Sequence, residues 1–375
     1  MASVVYGNGG HRGMLSFHYS CSYSRFGLQN SRTVNCLSED TGGAVRLRWQ
    51  VLEQVDEELS KGDERAALSL VKNLQGKPGG LRCFDAARQV PQRLYTLDEL
   101  KLNGIETASL LSPVDATLGS IERNLQVAAL LGGVAAWNVF DLSPQQLLFF
   151  SLGLLFFWTL DGVSFNGGVS GLLLDTIGHT FSQKYHSRVI QHEAGHFLTA
   201  YLLGILPRGY TLTSLDALNK EGSLNVQAGT AFVDFEFNEE VNSGKLSATM
   251  LNRFSCIALA GVATEYLLFG YAEGGLADID KSFLGACQRE NSFSNLLFLS
   301  FSIQVIKSQL DLLLKSLGFT QKKADSQVRW AVLNTVLILR RHEDARSKLA
   351  QAMSEGKSVG GCINIIEETI DDDDI

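Results

Sequence analysis

Several features that mark common classes of protein are missing from this chain of 375 residues. Basic residues do not predominate: 32 Lys and Arg face 40 Asp and Glu, and a net charge of −8 argues against a nucleic-acid-binding protein, which needs a basic surface. The six cysteines form no Cys-x-x-Cys pair, so neither a disulfide scaffold nor a thiolate zinc site is indicated. Disorder along the whole chain is excluded because 45% of the residues are apolar and only 19% are charged. The same balance calls for a search for membrane segments.

Acidic residues are absent from the first 38 positions. The same stretch contains three arginines and seven serines, and this composition is typical of organelle transit peptides. It contains no apolar core of roughly 7 to 15 residues, which a secretory signal peptide would need. We therefore predict that residues 1–42 form a disordered transit peptide for a chloroplast membrane, either thylakoid or envelope, with the mitochondrion as the alternative. An ordinary flexible tail is the other interpretation.

The next segment has helical periodicity but no chemical motif. Apolar residues recur with helical spacing between Leu52 and Leu74, and the glycines and proline of 76–80 end this pattern. A second helical stretch, 96–123, is broken near Pro113. We interpret residues 43–123 as a small helical accessory module.

Two long runs without charge follow. Residues 124–140 and 142–160 contain no charged side chain, and only Asp141 separates them. Runs of this length are just sufficient for helices that cross a bilayer, which takes roughly 17 to 25 residues. We predict one or two transmembrane helices within residues 124–163, arranged as a helical hairpin where there are two. A hairpin buried inside a soluble domain is the alternative.

The strongest motif is a His-Glu-x-x-His pattern formed by His192, Glu193 and His196, in a stretch with helical features from about 182 to 206. Positions i and i+4 lie one turn apart on the same face of a helix, so the two imidazoles can bind one metal ion. Glu193 can act as a general base toward a water molecule. Imidazole ligands and a hydrolytic reaction favour Zn²⁺. The motif therefore predicts two zinc ligands and a catalytic base.

Other histidines do not add to this pattern. His179 and His186 are not at ligand spacing with the motif, and we interpret them as polar residues at helix ends. A catalytic zinc takes three protein ligands and keeps one position open. The third ligand must therefore come from a distant part of the chain.

At this point the sequence resembles a known family. The motif at 192–196 is similar to the peptidase motif of the FtsH family of membrane-anchored, ATP-dependent zinc metallopeptidases. The segment 259–270, with an Ala-Gly pair followed by Glu265 and an apolar run that ends in glycine, resembles that family's second helix. Residues 274–280 take the place of the turn whose aspartate is the third zinc ligand. The resemblance covers about residues 185–349.

The resemblance implies a third ligand and a supporting residue. It makes Asp278 the zinc ligand beside His192 and His196, with one deletion in the turn. Asp280 is the alternative, because a gapless match places an isoleucine at the ligand position. Glu265 would hydrogen-bond a ligand histidine and so fix its tautomer.

One part of that family is missing from this sequence. FtsH-type enzymes contain an ATPase module with a G-x-x-x-x-G-K-[ST] loop that binds phosphates. Here Gly356, Lys357 and Ser358 match the end of the loop, but Gln351 stands where the first glycine belongs. We therefore expect no ATP binding by this chain.

Together these features predict a mainly α fold. A helical, FtsH-like zinc metallopeptidase domain over residues 178–353 follows the membrane hairpin and the helical module, and an acidic tail over 354–375 completes the chain. No proline occurs after residue 207, which suits a mostly helical domain. Residues 223–226 and 230–237 are expected to form a short β-hairpin beside the cleft.

The function predicted on this basis is that of a membrane-anchored, zinc-dependent metalloendopeptidase without its own ATPase, which cleaves flexible or unfolded protein chains in an organelle. The alternative is a catalytically silent FtsH-like scaffold or assembly factor that forms homo- or hetero-oligomers with ATP-dependent proteases. A third hypothesis, an intramembrane protease of the site-2 type, is disfavoured because Lys184 and Arg188 precede the motif and charges are costly in lipid.

Overall fold

The structure, a computed structural model, describes residues 36–111, 117–141, 143–165, 167–222, 229–243, 245–273 and 319–375. Over these residues the chain is mainly α-helical, as predicted. Two short strands, β1 (Pro207–Thr211) and β2 (Gly229–Phe232), accompany the helices. The helices in chain order are α1 (Cys36–Lys61), α2 (Glu64–Leu74), α3 (Leu97–Leu102), α4 (Thr107–Leu111), α5 (Thr117–Phe140), α6 (Pro144–Ser164), α7 (Gly168–Phe181), α8 (Gln183–Leu202), α9 (Ser214–Glu221), α10 (Phe235–Asn242), α11 (Ala248–Phe269), α12 (Gln321–Arg341), α13 (Glu343–Ser354) and α14 (Val359–Thr369).

Helix α8 carries the His-Glu-x-x-His motif through the middle of the fold. It packs against α11, α12, α13 and both strands, and every residue from His192 to Leu202 is buried. A helix covered on all sides needs apolar and small residues around its whole circumference. Helix α11 has the same character, since all residues from Phe254 to Glu265 are buried. The candidate site residues of these two helices are therefore held by the core itself.

The two strands pair differently from the predicted hairpin. Strand β2 runs antiparallel to β1, with Tyr210 opposite Thr230, whereas residues 223–226 lie outside the described residues. The predicted strand 230–237 was also too long, because helix α10 begins at Phe235. Gly204, with a φ of +79°, lets the chain turn after α8 and enter β1. The sheet consequently lies against the motif helix.

The accessory module predicted for residues 43–123 is not a separate unit. Leu52 on α1 and Val71 on α2 belong to the same buried apolar cluster as the residues of α8 and α11. The loop after α2 is also tied to the end of α8, because the N–H of Ala87 donates to the carbonyl of Leu202 at 2.9 Å. These segments form part of one core with the predicted peptidase domain.

The predicted transit peptide over 1–42 is only partly covered by the structure. Residues 1–35 lie outside the described residues. Helix α1 begins at Cys36, so the last seven residues of the predicted segment are helical, not disordered. A boundary at 42 would divide this helix.

The acidic tail predicted for residues 354–375 is a packed helix, α14, over half of its length. Helix α14 is apolar on the face toward α1 and β1, and Ile366 is fully buried. The carboxylate of Glu367, also buried, accepts the N–H of Cys83 at 2.9 Å and the hydroxyl of Tyr201 at 2.6 Å. Of the aspartates that follow this apolar helix, Asp371, Asp373 and Asp374 are exposed.

Helices α5, α6 and α7 carry most of the exposed apolar side chains. On α6 only Asp161 is buried, and on α5 only Thr117, so the described residues do not show the alternative, a hairpin buried inside a soluble domain. Among the described residues, α6 is the one helix long and apolar enough to cross a membrane, and the second span of the predicted hairpin is not confirmed. Asp161 joins α6 to α7, because its carboxylate accepts the N–H groups of Val169 and Ser170 at 3.0 Å each.

This exposed surface leads to a test of membrane insertion. Leu154→Arg places a cation near the middle of α6, at an exposed side chain, and an arginine at the centre of a spanning helix costs about 2.5 to 3.5 kcal/mol. We expect the wild-type protein to stay in the membrane pellet after alkaline carbonate extraction, whereas this variant is largely released. Leu215→Arg, the same change at an exposed leucine of α9, should leave the protein in the pellet. Wild-type protein in the carbonate supernatant would contradict a spanning α6.

Candidate metal centre

The two motif histidines converge on one point. Ser182 caps the start of α8 by accepting the N–H of Tyr185 at 3.2 Å, and the helix then places His192 and His196 one turn apart. Their Nε2 atoms lie 3.1 Å apart, and both residues are buried. Two ligand nitrogens of a tetrahedral zinc, each about 2.0–2.1 Å from the metal, are separated by roughly 3.3 Å. The observed separation therefore suits a shared metal ion.

The opposite nitrogen of each ring contacts a strong acceptor. Nδ1 of His192 lies 2.7 Å from Oε1 of Glu265, and Nδ1 of His196 lies 2.9 Å from the carbonyl oxygen of Ile257. A carboxylate and a carbonyl only accept hydrogen bonds, so each neutral imidazole carries its proton on Nδ1. The Nε2 lone pairs then face each other, and neither ring can donate to the other. Two nitrogens in this arrangement can both bind one divalent cation, so the pair fits a zinc site.

Two glycines allow the helices to approach this closely. A Cβ atom on Gly261 of α11 would lie 2.1 Å from Nε2 of His192, and one on Gly195 would lie 2.1 Å from Oγ1 of Thr264. Real Cβ atoms do not come so near to another heavy atom. The His192 ring therefore occupies space that only a glycine on α11 leaves free.

Glu193 lies on the side of α8 that faces the sheet. Its Oε2 accepts the hydroxyl of Thr230, on β2, at 2.8 Å, and the side chain is buried. Thr230 is a contact that the motif itself could not reveal, because it comes from a strand 37 positions later. This hydrogen bond holds the carboxylate that we predicted as the general base.

Glu265 belongs to a small network of buried charges. Its Oε2 accepts Nη1 of Arg188 at 2.9 Å and the N–H of Glu273 at 2.6 Å, while Arg188 is also 3.4 Å from the Glu273 carboxylate. The guanidinium lies over the rings of Phe269 and Tyr271, at 4.3 and 4.8 Å from their centroids. Its two remaining nitrogens, which make no hydrogen bond, thus face π surfaces. In the sequence Arg188 indicated only a charge that opposes burial in lipid. Its contact with Glu265, 77 positions later, could not be read from a local pattern.

The third predicted ligand cannot be placed in the same way. Asp278 and its alternative Asp280 lie outside the described residues. Within the described part of the chain, no group of three or more His, Cys, Asp or Glu side chains is placed to hold a metal ion. Before this gap the last described residue is Glu273, whose N–H donates to the Glu265 carboxylate. Asp278 follows Glu273 by only five positions.

Comparisons of this chain with protein-family models, with curated proteins and with solved structures found no match. The resemblance to FtsH-type peptidases, and the roles that it implies for these residues, therefore stay predictions.

The close fit between His192 and α11 predicts the effect of one methyl group. Gly261→Ala should push the imidazole out of place, lower the free energy of unfolding by about 1 to 3 kcal/mol and reduce zinc retained after dialysis. Gly171→Ala in α7 is the matched control, since nothing lies within 4 Å of the added methyl. Thermal unfolding and elemental analysis of both variants check this. Wild-type zinc content in Gly261→Ala would show that the ring position does not matter for metal binding.

Proposed function

We propose that this protein is a membrane-anchored zinc metalloendopeptidase of the FtsH type that has no ATPase of its own and cleaves flexible or unfolded chains. The observation that carries the proposal is the pair of Nε2 atoms 3.1 Å apart, each on a ring whose Nδ1 contacts an acceptor. The carboxylate of Glu193, next to His192 on the same helix, adds a candidate base. Such a combination supports hydrolytic chemistry more than a purely structural metal, which needs no base.

The proposed reaction assigns a task to each side chain. Zn²⁺ held by His192, His196 and Asp278 would supply a Lewis acid for the scissile carbonyl. Glu193 takes the proton from the attacking water and returns it to the leaving amine. Thr230 orients the Glu193 carboxylate through the 2.8 Å hydrogen bond. Glu265 keeps the His192 proton on Nδ1, so that Nε2 remains a ligand.

The proposed substrate class rests on the prediction that this chain binds no ATP. The match to the end of a phosphate-binding loop, at 356–358, forms the turn between α13 and α14. There Gly356 has a φ of +74°, and the Ser358 hydroxyl accepts the N–H of Gly361 at 3.1 Å as a helix cap. These residues have an evident structural task without a nucleotide. A peptidase that does not unfold its substrates must accept segments that are already extended, which is why we propose flexible or unfolded protein chains.

The cellular setting is part of the same proposal. The acid-poor segment 1–38 supports import into a chloroplast, with the mitochondrion as the alternative, and the exposed apolar surface of α6 supports a membrane anchor. Carbonate extraction of membranes from the isolated organelle tests both points together. Homo- or hetero-oligomers with ATP-dependent FtsH-type proteases remain the proposed partners.

The role of Glu193 as the base is tested by a substitution that keeps the shape of the side chain and removes its charge. Glu193→Gln should retain zinc and fold as wild type, while cleavage of an unstructured peptide falls by about 10² to 10⁴. The measurements are peptide turnover and zinc content of the same preparation. Unchanged turnover would remove Glu193 from the mechanism. Stoichiometric zinc in wild-type protein with no turnover of any casein-like substrate would instead favour the scaffold hypothesis.

The third ligand is tested by comparing two aspartates. We expect Asp278→Ala to bind zinc at the central site much more weakly than wild type, because one of its three protein ligands is lost, and Asp280→Ala to bind it as wild type does. Elemental analysis after dialysis against a weak chelator gives the answer. Loss in Asp280→Ala alone would move the ligand to Asp280, and retention in both variants would reject the predicted ligand set.

A further inference from the structure

A second pair of imidazoles meets where α7 joins α8. His179, near the end of α7, and His186, near the start of α8, place their Nδ1 atoms 2.8 Å apart. The ring planes cross at 80°, with centroids separated by 5.0 Å. Both residues lie at helix ends, as the sequence indicated, but their contact with each other was not predicted. The chain reverses direction at Ser182, and that turn brings together two residues whose spacing of seven does not fit a single helix face.

A buried carboxylate lies behind one of these rings. Oδ1 of Asp175 is 3.4 Å from Nε2 of His179. The carboxylate also accepts the hydroxyl of Tyr185 and the N–H of Ser214, both at 2.8 Å. Burial would raise the pKa of Asp175, but the contacts with His179, Ser214 and Tyr185 outweigh burial and leave its pKa below the usual value. Asp175 is therefore ionised at neutral pH.

The position of the Asp175 carboxylate determines which ring nitrogen of His179 carries the proton, and therefore whether Nδ1 presents a lone pair to His186. Nε2 of His179 makes no hydrogen bond, but the carboxylate charge 3.4 Å away favours the tautomer with its proton on Nε2. This tautomer directs the Nδ1 lone pair toward His186. The same order of carboxylate, imidazole and metal recurs in metal sites, where the carboxylate orients the ring and raises its basicity. His186 is exposed at the surface, so its ring can adjust by the roughly 0.5 Å that separates the observed distance from two zinc-bound nitrogens.

We propose that Nδ1 of His179 and Nδ1 of His186, with Asp175 orienting the first ring, form a binding site for a borderline divalent transition metal ion such as Zn²⁺. Imidazole suits this class of cation. Two protein ligands leave the remaining coordination positions to water on the exposed side of His186. We call this pair the elbow site, because it spans the turn between α7 and α8.

The elbow site is separate from the candidate metal centre. His186 and His192 are six positions apart on α8, which is a rise of about 9 Å, whereas two ligands of one zinc lie within roughly 4 Å of each other. One ion cannot serve both pairs. The two sites can therefore be removed one at a time, and the elbow site does not depend on peptidase activity.

Binding at the elbow site would join the apolar helices to the motif helix. Helix α7 is tied to α6 by Asp161, and α8 carries His192 and His196. A metal ion that bridges α7 and α8 adds its binding free energy to this turn. Its occupancy would thus stiffen the connection between a membrane anchor and a catalytic helix.

The test counts metal on the full-length protein in detergent. Zn²⁺ is the probe, and equilibrium dialysis followed by elemental analysis gives the number bound and the affinity. The elbow site predicts that His186→Gln binds one equivalent less than wild type, that Asp175→Asn binds the second ion about 10- to 100-fold more weakly, and that Gln183→Ala, an exposed change on the same helix, equals wild type. The wild-type and His186→Gln pair decides the matter by itself, since His186 is exposed and its replacement leaves the core intact.

The central site is distinguished by a His196→Gln background. One equivalent that remains in His196→Gln and disappears in His186→Gln/His196→Gln supports the elbow site. Equal binding by these two proteins overturns it. Loss in His196→Gln with full retention in His186→Gln would support the central site and reject the elbow site, and the reverse pattern would reject the central site alone.

Discussion

The position of one proton on each motif imidazole determines what the centre of this molecule can do. Glu265 and the Ile257 carbonyl hold those protons on Nδ1, and the two Nε2 lone pairs are left to converge. Neither acceptor is on α8, so the ligand geometry depends on how closely α11 packs against that helix. Arg188 contributes to the same geometry through its ion pair with Glu265. Burying a carboxylate costs free energy unless an opposite charge and hydrogen bonds compensate it.

In this core, the close packing of α8 against α11 and the burial of polar side chains therefore depend on each other. Around the candidate metal centre, two imidazoles, two carboxylates and a guanidinium are buried among apolar side chains. Each of these groups has at least one polar contact at 3.1 Å or less. Small residues at 195 and 261 remove the atoms that would otherwise keep α8 and α11 apart. Burying these polar groups costs free energy, and the hydrogen bonds that offset this cost form only in this arrangement. The fold and the candidate site therefore depend on the same contacts.

Local patterns in the sequence predicted the parts that a single helix determines. The fold class and the helix that carries His192 and His196 follow from periodicity, because i and i+4 share a face whatever surrounds them. Thr230, Arg188 and the His179–His186 pair could not be found in that way, since their partners come from a strand, from a second helix and from a turn. The acidic end was predicted wrongly for a related reason: the helix that contains the buried Ile366 packs partly against α1, at the other end of the described chain, and no local window contains that information. The spans of the apolar helices and the role of Asp278 stay predictions.

The position of helix α14 determines when the N-terminal helices can complete their packing during synthesis. The Glu367 carboxylate of this helix accepts the N–H of Cys83, and the apolar side of the helix packs against α1. Helix α1 is synthesised early, so it reaches its final packing only after α14 has been synthesised. Until residues 359–369 have left the ribosome, Leu52 and its neighbours on α1 lack their covering surface and are open to aggregation. A chain with this topology matures only after synthesis has passed this helix, and a chaperone that shields the early helices during that interval would raise the yield of folded protein.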